Sequence, residues 1–488
     1  MSVEAYGHEN ILDVDLIQGG MGIGVSWYKL AGAVASEGKK CMGVVSGTVI
    51  GPLIARRLQD GDTNGDIRKA LDKFPIPRIS ELIIERYYSE KGRCENEPYK
   101  TVPMFNADSS GIALILNMVG AFAEVWLAKH IASERSDSPG PVAMNLLTDL
   151  KNTTLSALYG AMLANVDCII MGAGIPRNIP DALAKLALGQ DVKIDLNVPE
   201  SDQKFYVEFN PSQYRPSDGN IKLKKPDFLA IVSSDTLAKY LSRLDFPPSG
   251  FVIEGPVAGG HNAPPRKGMN YTEIDQVDLN KINELGMPYW LAGKKDYPGV
   301  IADAKKMGAQ GIQVGTAFAM CRDSGIDPAI KSKIIDQVVS GSVEVTTSFN
   351  ASPTGYPFKI VEQKDTLSEN TVYEERKRVC DLGFLRKPYL SKDGKKLIYR
   401  CPAEPVEDYV KKGGDEADTV GKKCLCNGLL STIGFGQSRK DGTTEKPIIT
   451  AGDTLQEVVS NLVEIYGKEY TAKNVVEYLR VNADPATN

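Results

Sequence analysis

Three histidines occur in the 488 residues, and one of them, His261, stands in EGPVAGGHNAPP (254–265), behind two glycines and after the apolar run GFVI. An imidazole titrates close to neutral pH, so it can take up or release a proton, or bind an anionic group, under physiological conditions. The small residues around His261 leave space for a guest. The plainer reading is a polar loop residue that caps the next segment. Placement at the C-terminal end of an apolar strand favours chemistry over capping. His8 and His130 have no comparable setting.

Glycine-rich turns form a second group. IQGGMGIGVS puts glycines at 19, 20, 22 and 24, directly after an apolar run and before a helical stretch. The spacing fits neither the dinucleotide fingerprint nor the P-loop, since Val25 or Trp27 stands where the former needs a third glycine and Gly24 is followed by Val25 and Ser26. Without Cβ atoms, such a backbone can lie close to a flat ligand; a tight turn is the competing explanation. LAG (291–293) and VGTAF (314–318) also end apolar runs in glycine. In a barrel of alternating strands and helices, the loops after strands seven and eight commonly hold a phosphate, for which Gly293, Gly315 and Thr316 offer backbone N–H groups and a hydroxyl.

The third group is sulfur. Of eight cysteines, Cys380, Cys401, Cys424 and Cys426 fall within one region near the C-terminus. Four thiolates satisfy Zn²⁺ or a 4Fe–4S cluster. One C-x-C and two singletons do not match a zinc ribbon, and buried thiols or a redox disulfide are the alternatives.

These groups need a frame. Apolar runs alternate with helical stretches to about residue 345: LIQG, MGVVSG, VPMFNA, PVAMNLL, CIIMG, VKIDLNV, FLAIVSS, GFVIEG, PYWLAG and GIQVG, with WYKLAGAVASEG, LSALYGAMLAN, DTLAKYLSRL and GVIADAKKMG between them. Continuous apolar strands between amphipathic helices indicate an α/β protein whose parallel sheet is buried on both faces. Ten runs exceed the eight of a (β/α)8 TIM barrel by two; VPMFNA reads as an extra element and VKIDLNV as the lead into a β-rich insertion at about 190–225. The expected organisation is therefore a barrel over 1–350 and a cysteine-containing extension over 351–488 that closes with two helices.

The bulk composition is that of an ordinary globular protein, 42% apolar and 24% charged, and its net charge of −5 gives no electrostatic footprint for nucleic acid or an anionic membrane. GIALILNMVGAFAEVWLA (111–128) is interrupted by Asn117, Gly120 and Glu124, which favours a buried core helix over a membrane span. The N-terminus lacks the pattern of a signal peptide, so a cytoplasmic location is expected.

IQGGMGIGVSWYKLAGAVASEG, PVAMNLL, IEGPVAGGH and GAQGIQVGTAFAMCRDSG together resemble the flavin-dependent nitronate monooxygenase family, formerly 2-nitropropane dioxygenases, whose superfamily includes FMN-containing enoyl-acyl-carrier-protein reductases. The likeness runs in order over about 11–330, and SPTGYPFK (352–359) resembles the end of that core. It implies FMN at the C-terminal face of the barrel: Met21 and Gly22 against the isoalloxazine ring, Asn145 near the flavin, and Gly259, Gly260, Gly293, Gly315 and Thr316 around the phosphate. His261 matches the histidine that takes a proton from the substrate or orients it. Two positions depart from the family pattern: Val257 where Glu is common, and Lys294 where a second glycine is common. The expected function is oxidation of an alkyl nitronate or similar carbanion-like small molecule with O₂. The alternatives are NAD(P)H-dependent reduction of an enoyl thioester and, further off, a non-catalytic flavin- or metal-binding module. The resemblance also suggests a homo-oligomer.

Overall fold

The computed structural model describes residues 11–481 apart from 95, 107–110, 200 and 215–222. His8 lies outside the described residues.

Eight parallel strands close into a barrel in chain order: β1 (Leu16–Gln18), β2 (Cys41–Ser46), β3 (Val142–Leu147), β4 (Cys168–Gly172), β5 (Asp227–Val232), β6 (Gly250–Glu254), β7 (Tyr289–Ala292) and β8 (Gly311–Val314). Closure is made by Leu16, Ile17 and Gln18 pairing with Ile312, Gln313 and Val314. Side chains alternate across a strand, so each apolar run serves two cores. Ile17, Met42, Val44, Ala143, Ile170, Leu229 and Val252 fill the interior of the barrel. Leu16, Val45, Met144, Ile169, Ala230 and Phe251 face the surrounding helices. This is why the strands read as unbroken apolar runs. Trp290, fully buried, plugs the end of the barrel away from the strand C-termini and donates its indole N–H to Val14 O at 2.8 Å.

The two surplus runs are accounted for. Residues 102–106 of VPMFNA form no strand, and Ala107 lies outside the described residues. VKIDLNV supplies Val192–Leu196, which pairs antiparallel with Phe205–Phe209 as a hairpin between β4 and β5. The β2–β3 connection is long and holds the helix Ile112–Arg135, long and apolar enough to cross a membrane but with 72% of its most apolar stretch buried in the protein. Two of its buried polar residues find partners inside the protein: Asn117 Nδ2 donates to Thr153 O at 2.9 Å and Ser156 Oγ at 3.0 Å, though its Oδ1 has none, and Glu124 accepts from Tyr28 N at 2.8 Å and from Arg57.

Beyond residue 344 the chain returns over the barrel. Val345–Ser348 and Phe358–Val361 form an antiparallel pair, Lys387–Leu390 and Leu397–Arg400 another. The terminal helices, Leu455–Tyr466 and Ala472–Arg480, pack against the helices that follow β7 and β8. Buried Tyr470 donates to Ala317 O at 3.0 Å, and Arg480 reaches Asp15 at 2.7 Å, next to β1.

Candidate functional site

The C-terminal ends of the strands open into a cavity of about 1590 Å³ counted with its mouth. Its first wall is the turn after β1. Buried Gln18 donates from Nε2 to Ser26 Oγ at 2.7 Å and accepts Val44 N–H at 2.9 Å. Ser26 Oγ accepts Met21 N–H and donates to Gly19 O, each at 2.8 Å, which folds the glycine turn back on itself. Gly20 is required here: a Cβ would stand 2.1 Å from Asn145 Cβ. Gly20, Met21, Gly22 and Asn145 thus share one wall, although Asn145 comes from β3.

His261 follows β6 and lies in the same cavity. Its Nε2 is 2.7 Å from Ser352 Oγ, and Ser352 Oγ is 2.7 Å from Thr354 Oγ1. Its ring packs against Phe358 at a centroid distance of 4.8 Å, and the backbone on either side is clamped by Lys359 N–H to Gly260 O and Asn262 N–H to Pro357 O, both 3.0 Å. The SPTGYPFK segment is therefore the support of the histidine. Part of the ring faces the cavity and the rest is packed against protein; this burial lowers its pKa to about 4, so the imidazole is neutral at physiological pH. Glu254, at the end of β6, shows the mirror effect. With no cation to offset burial, its carboxyl is pushed up to about 7.

Gly259, Gly260, Gly293, Gly315 and Thr316 line the cavity together. Gly260 adopts φ +80°, a conformation that favours glycine, and donates its N–H to Thr450 Oγ1 at 2.8 Å. Thr316 Oγ1 accepts the Gly452 N–H at 2.9 Å, which engages a lone pair of the hydroxyl and not its proton. Lys294, where the family commonly has glycine, keeps a left-handed backbone at φ 51° and lines the cavity with Lys295. The turn after β7 therefore retains a glycine-type path and adds cations to it. Val257 O accepts the Asp453 N–H at 3.1 Å, tying this loop to the C-terminal extension.

The residues present fit FMN. The Gly19–Gly22 turn, where Met21 alone carries a Cβ, admits a flat ring, the Gln313 Oε1 on the cavity lining is buried without a partner, and Lys294 and Lys295 bring cations to the same lining.

Sequence reasoning missed the roof. Phe384, Leu385, Leu425, Cys426, Leu429, Thr450, Ala451 and Thr454, all from the extension, line the cavity over the barrel. Thr454 donates to Asp296 Oδ2 at 2.6 Å, fixing that roof to the loop after β7. No motif marks these residues; their part follows from where the chain returns. Cys380, Cys401, Cys424 and Cys426 come together beside the cavity around a separate, much smaller void. Among the described residues no three His, Cys, Asp or Glu side chains are spaced to hold a metal ion, so neither the zinc nor the iron–sulfur expectation is shown by that spacing. His130 is remote from the cavity, stacked on Trp126 and close to Lys69 and Glu134.

Residues 185–400 match the family model described as nitronate monooxygenase. This interval contains His261, the β7 and β8 loops and SPTGYPFK. A protein of Bacillus subtilis (strain 168) described as a probable nitronate monooxygenase is 29% identical over 161 residues, 32% of this chain and 46% of that protein. The chain thus matches about half the length of this curated relative. Among solved structures, FabK from Thermotoga maritima is 13% identical with a TM-score of 0.46, covering 96% of this chain and 93% of its own. The nitroalkane oxidase of Streptomyces ansochromogenes is 13% identical with a TM-score of 0.45, covering 95% and 94%. The resemblance to nitronate monooxygenases is borne out by the family match and the curated relative.

Proposed function

Because residues 185–400 match the nitronate monooxygenase family, we propose that this chain is an FMN-dependent oxidoreductase that oxidises an alkyl nitronate, or a similar carbanion-like substrate, with O₂. Met21, Gly22 and Asn145 would border the flavin ring, and Gly259, Gly260, Gly293, Gly315 and Thr316 its phosphate. FMN, when bound, supplies a two-electron acceptor that O₂ can regenerate.

The observation that carries the reading is the neutral His261 held at the cavity by Ser352 and Phe358. An uncharged imidazole accepts a proton from the α-carbon of a neutral nitroalkane, and as a hydrogen-bond donor it positions the oxygens of the nitronate. The Ser352–Thr354 hydroxyl pair can exchange donor and acceptor roles, so Nε2 can hold or release a proton without losing its partner. General-base action of this kind contributes about 10²–10⁴-fold. Phe384, Leu385, Leu425 and Leu429 keep water from the anion.

The test is oxygen uptake by FMN-loaded protein on addition of an alkyl nitronate. Uptake that His261→Ala diminishes while flavin content is retained supports the reading. Absence of uptake, with NAD(P)H oxidation dependent on an enoyl thioester, would replace it with the reductase.

A further inference from the structure

Beyond the flavin cavity, the four cysteines of the extension make a second built site. Cys380 comes from the loop before the Lys387–Leu390 strand, Cys401 follows the Leu397–Arg400 strand, and Cys424 and Cys426 open the helix Leu425–Thr432. Residues 380–426 thus bring four cysteines to one void, lined also by Pro353, Leu382 and Leu385. Cys401, Cys424 and Cys426 are buried and Cys380 is half-buried, and none forms a disulfide.

Four disulfide-free cysteines around one void match the four-thiolate ligation of an iron–sulfur cluster. Arg386 lines the same void and offers a cation to offset the charge of such a centre. Glu404, 3% exposed, lines the same void; Lys412 takes its Oε2 at 2.7 Å, while its Oε1 is buried without a partner.

The spacing separates a single ion from a larger group. Zn–S bonds are about 2.3 Å long, so four thiolates around zinc close on it and leave no gap among them. Here the four cysteines line one void, yet no three of them are grouped closely enough to hold a single ion. We propose that Cys380, Cys401, Cys424 and Cys426 hold an iron–sulfur cluster, packed against the wall of the flavin cavity. Leu385, Leu425 and Cys426 line both spaces, so the cluster would share a wall with the cavity that holds His261. It would also pin the extension: the backbone beside Cys424 is bonded to the segment that supports the histidine, Lys423 N–H to Ala351 O at 2.9 Å and Lys422 Nζ to Ser352 O at 3.2 Å.

The proposal stands apart from the flavin reading, and its test does not use activity. The full chain, isolated without air, is assayed for iron, acid-labile sulfide, zinc and FMN. Two to four iron with equal sulfide per chain are expected, with a broad visible band that acid abolishes. Cys401→Ser is expected to lose at least about half of the iron and sulfide while keeping its FMN; Cys168→Ser, at a buried cysteine of the barrel interior, is expected to keep both. If Cys401→Ser fails to fold, the native chain decides alone. One zinc per chain, iron without sulfide, or four titratable thiols with no metal after anaerobic reconstitution with iron and sulfide would each overturn the cluster. FMN content in the same sample reports on the flavin reading independently.

Discussion

His261 Nε2 and Ser352 Oγ, 91 residues apart in the chain, stand 2.7 Å from one another across the boundary between the barrel and its C-terminal extension. The catalytic candidate is thus presented by β6 and held in place by a segment that follows the last barrel strand. If Ser352 positions the imidazole, the two substitutions separate by size. His261→Ala is expected to lower kcat for a neutral nitroalkane by about 10²-fold or more. Ser352→Ala removes the imidazole's hydrogen-bond partner and is expected to cost about 3–10-fold. Steady-state oxygen uptake at matched FMN content measures both.

The pKa of His261, lowered by burial to about 4 from an ordinary 6.5, predicts an unusual pH profile. The imidazole stays basic well below pH 6.5, so kcat/KM for a neutral nitroalkane should show no histidine break at that pH in Glu254→Gln. The native state binds fewer protons there than the unfolded chain, so stability falls as pH drops from about 6.5 toward 4. Urea titrations between pH 4 and 7 should show this slope in Glu254→Gln, where the opposing carboxyl is gone, and a shallower one in the double variant Glu254→Gln/His261→Gln.

Glu254 carries the opposite sign. Its folded pKa of about 7 lies above the ordinary 4.5, so the stability it contributes is full below about 4.5 and is lost as pH rises through about 7. Because His261 acts with the opposite sign over much of this range, Glu254→Gln should make apoprotein stability rise more steeply between about pH 4.5 and 7 than it does in the native protein. It should also remove any step near pH 7 in the absorbance of bound flavin.

Gly20→Ala places a Cβ against the Asn145 side chain at 2.1 Å, a collision that only a shift of Asn145 or of the turn relieves. Overpacking of this kind costs about 1–3 kcal/mol. FMN affinity, followed by fluorescence titration, is expected to fall about tenfold or more, with the barrel still folded by circular dichroism.

Arg57 and Glu124 form an ion pair in the barrel's helical layer, with side chains 9% and 2% exposed. Removing one partner leaves a buried charge uncompensated, at a cost of about 3–5 kcal/mol. Glu124→Gln should therefore lower the unfolding midpoint markedly, in holo- and apoprotein alike.

The barrel was legible because its strands, buried on both faces, stand out as apolar runs; VKIDLNV instead alternates apolar and polar residues, the mark of the one-sided antiparallel hairpin it forms in the insertion. Gly20, Gly260 and His261 were legible because a turn, a left-handed backbone and a scarce imidazole leave local marks. The roof was not. Thr450, Ala451 and Thr454 act through their place after a long return of the chain, and nothing in TAGDT distinguishes it from an ordinary loop. The pairing of His261 with Ser352 was hidden for the same reason, although SPTGYPFK already stood out as part of the core.

The most direct test is anaerobic addition of an alkyl nitronate to the FMN-loaded protein, with the oxidised flavin band followed in a stopped-flow spectrometer. The account predicts bleaching within the time of one turnover, slowed in His261→Ala when the neutral nitroalkane is used, and recovery of the band on admitting O₂. A flavin that stays oxidised with nitronate yet bleaches rapidly with NADH or NADPH would contradict it.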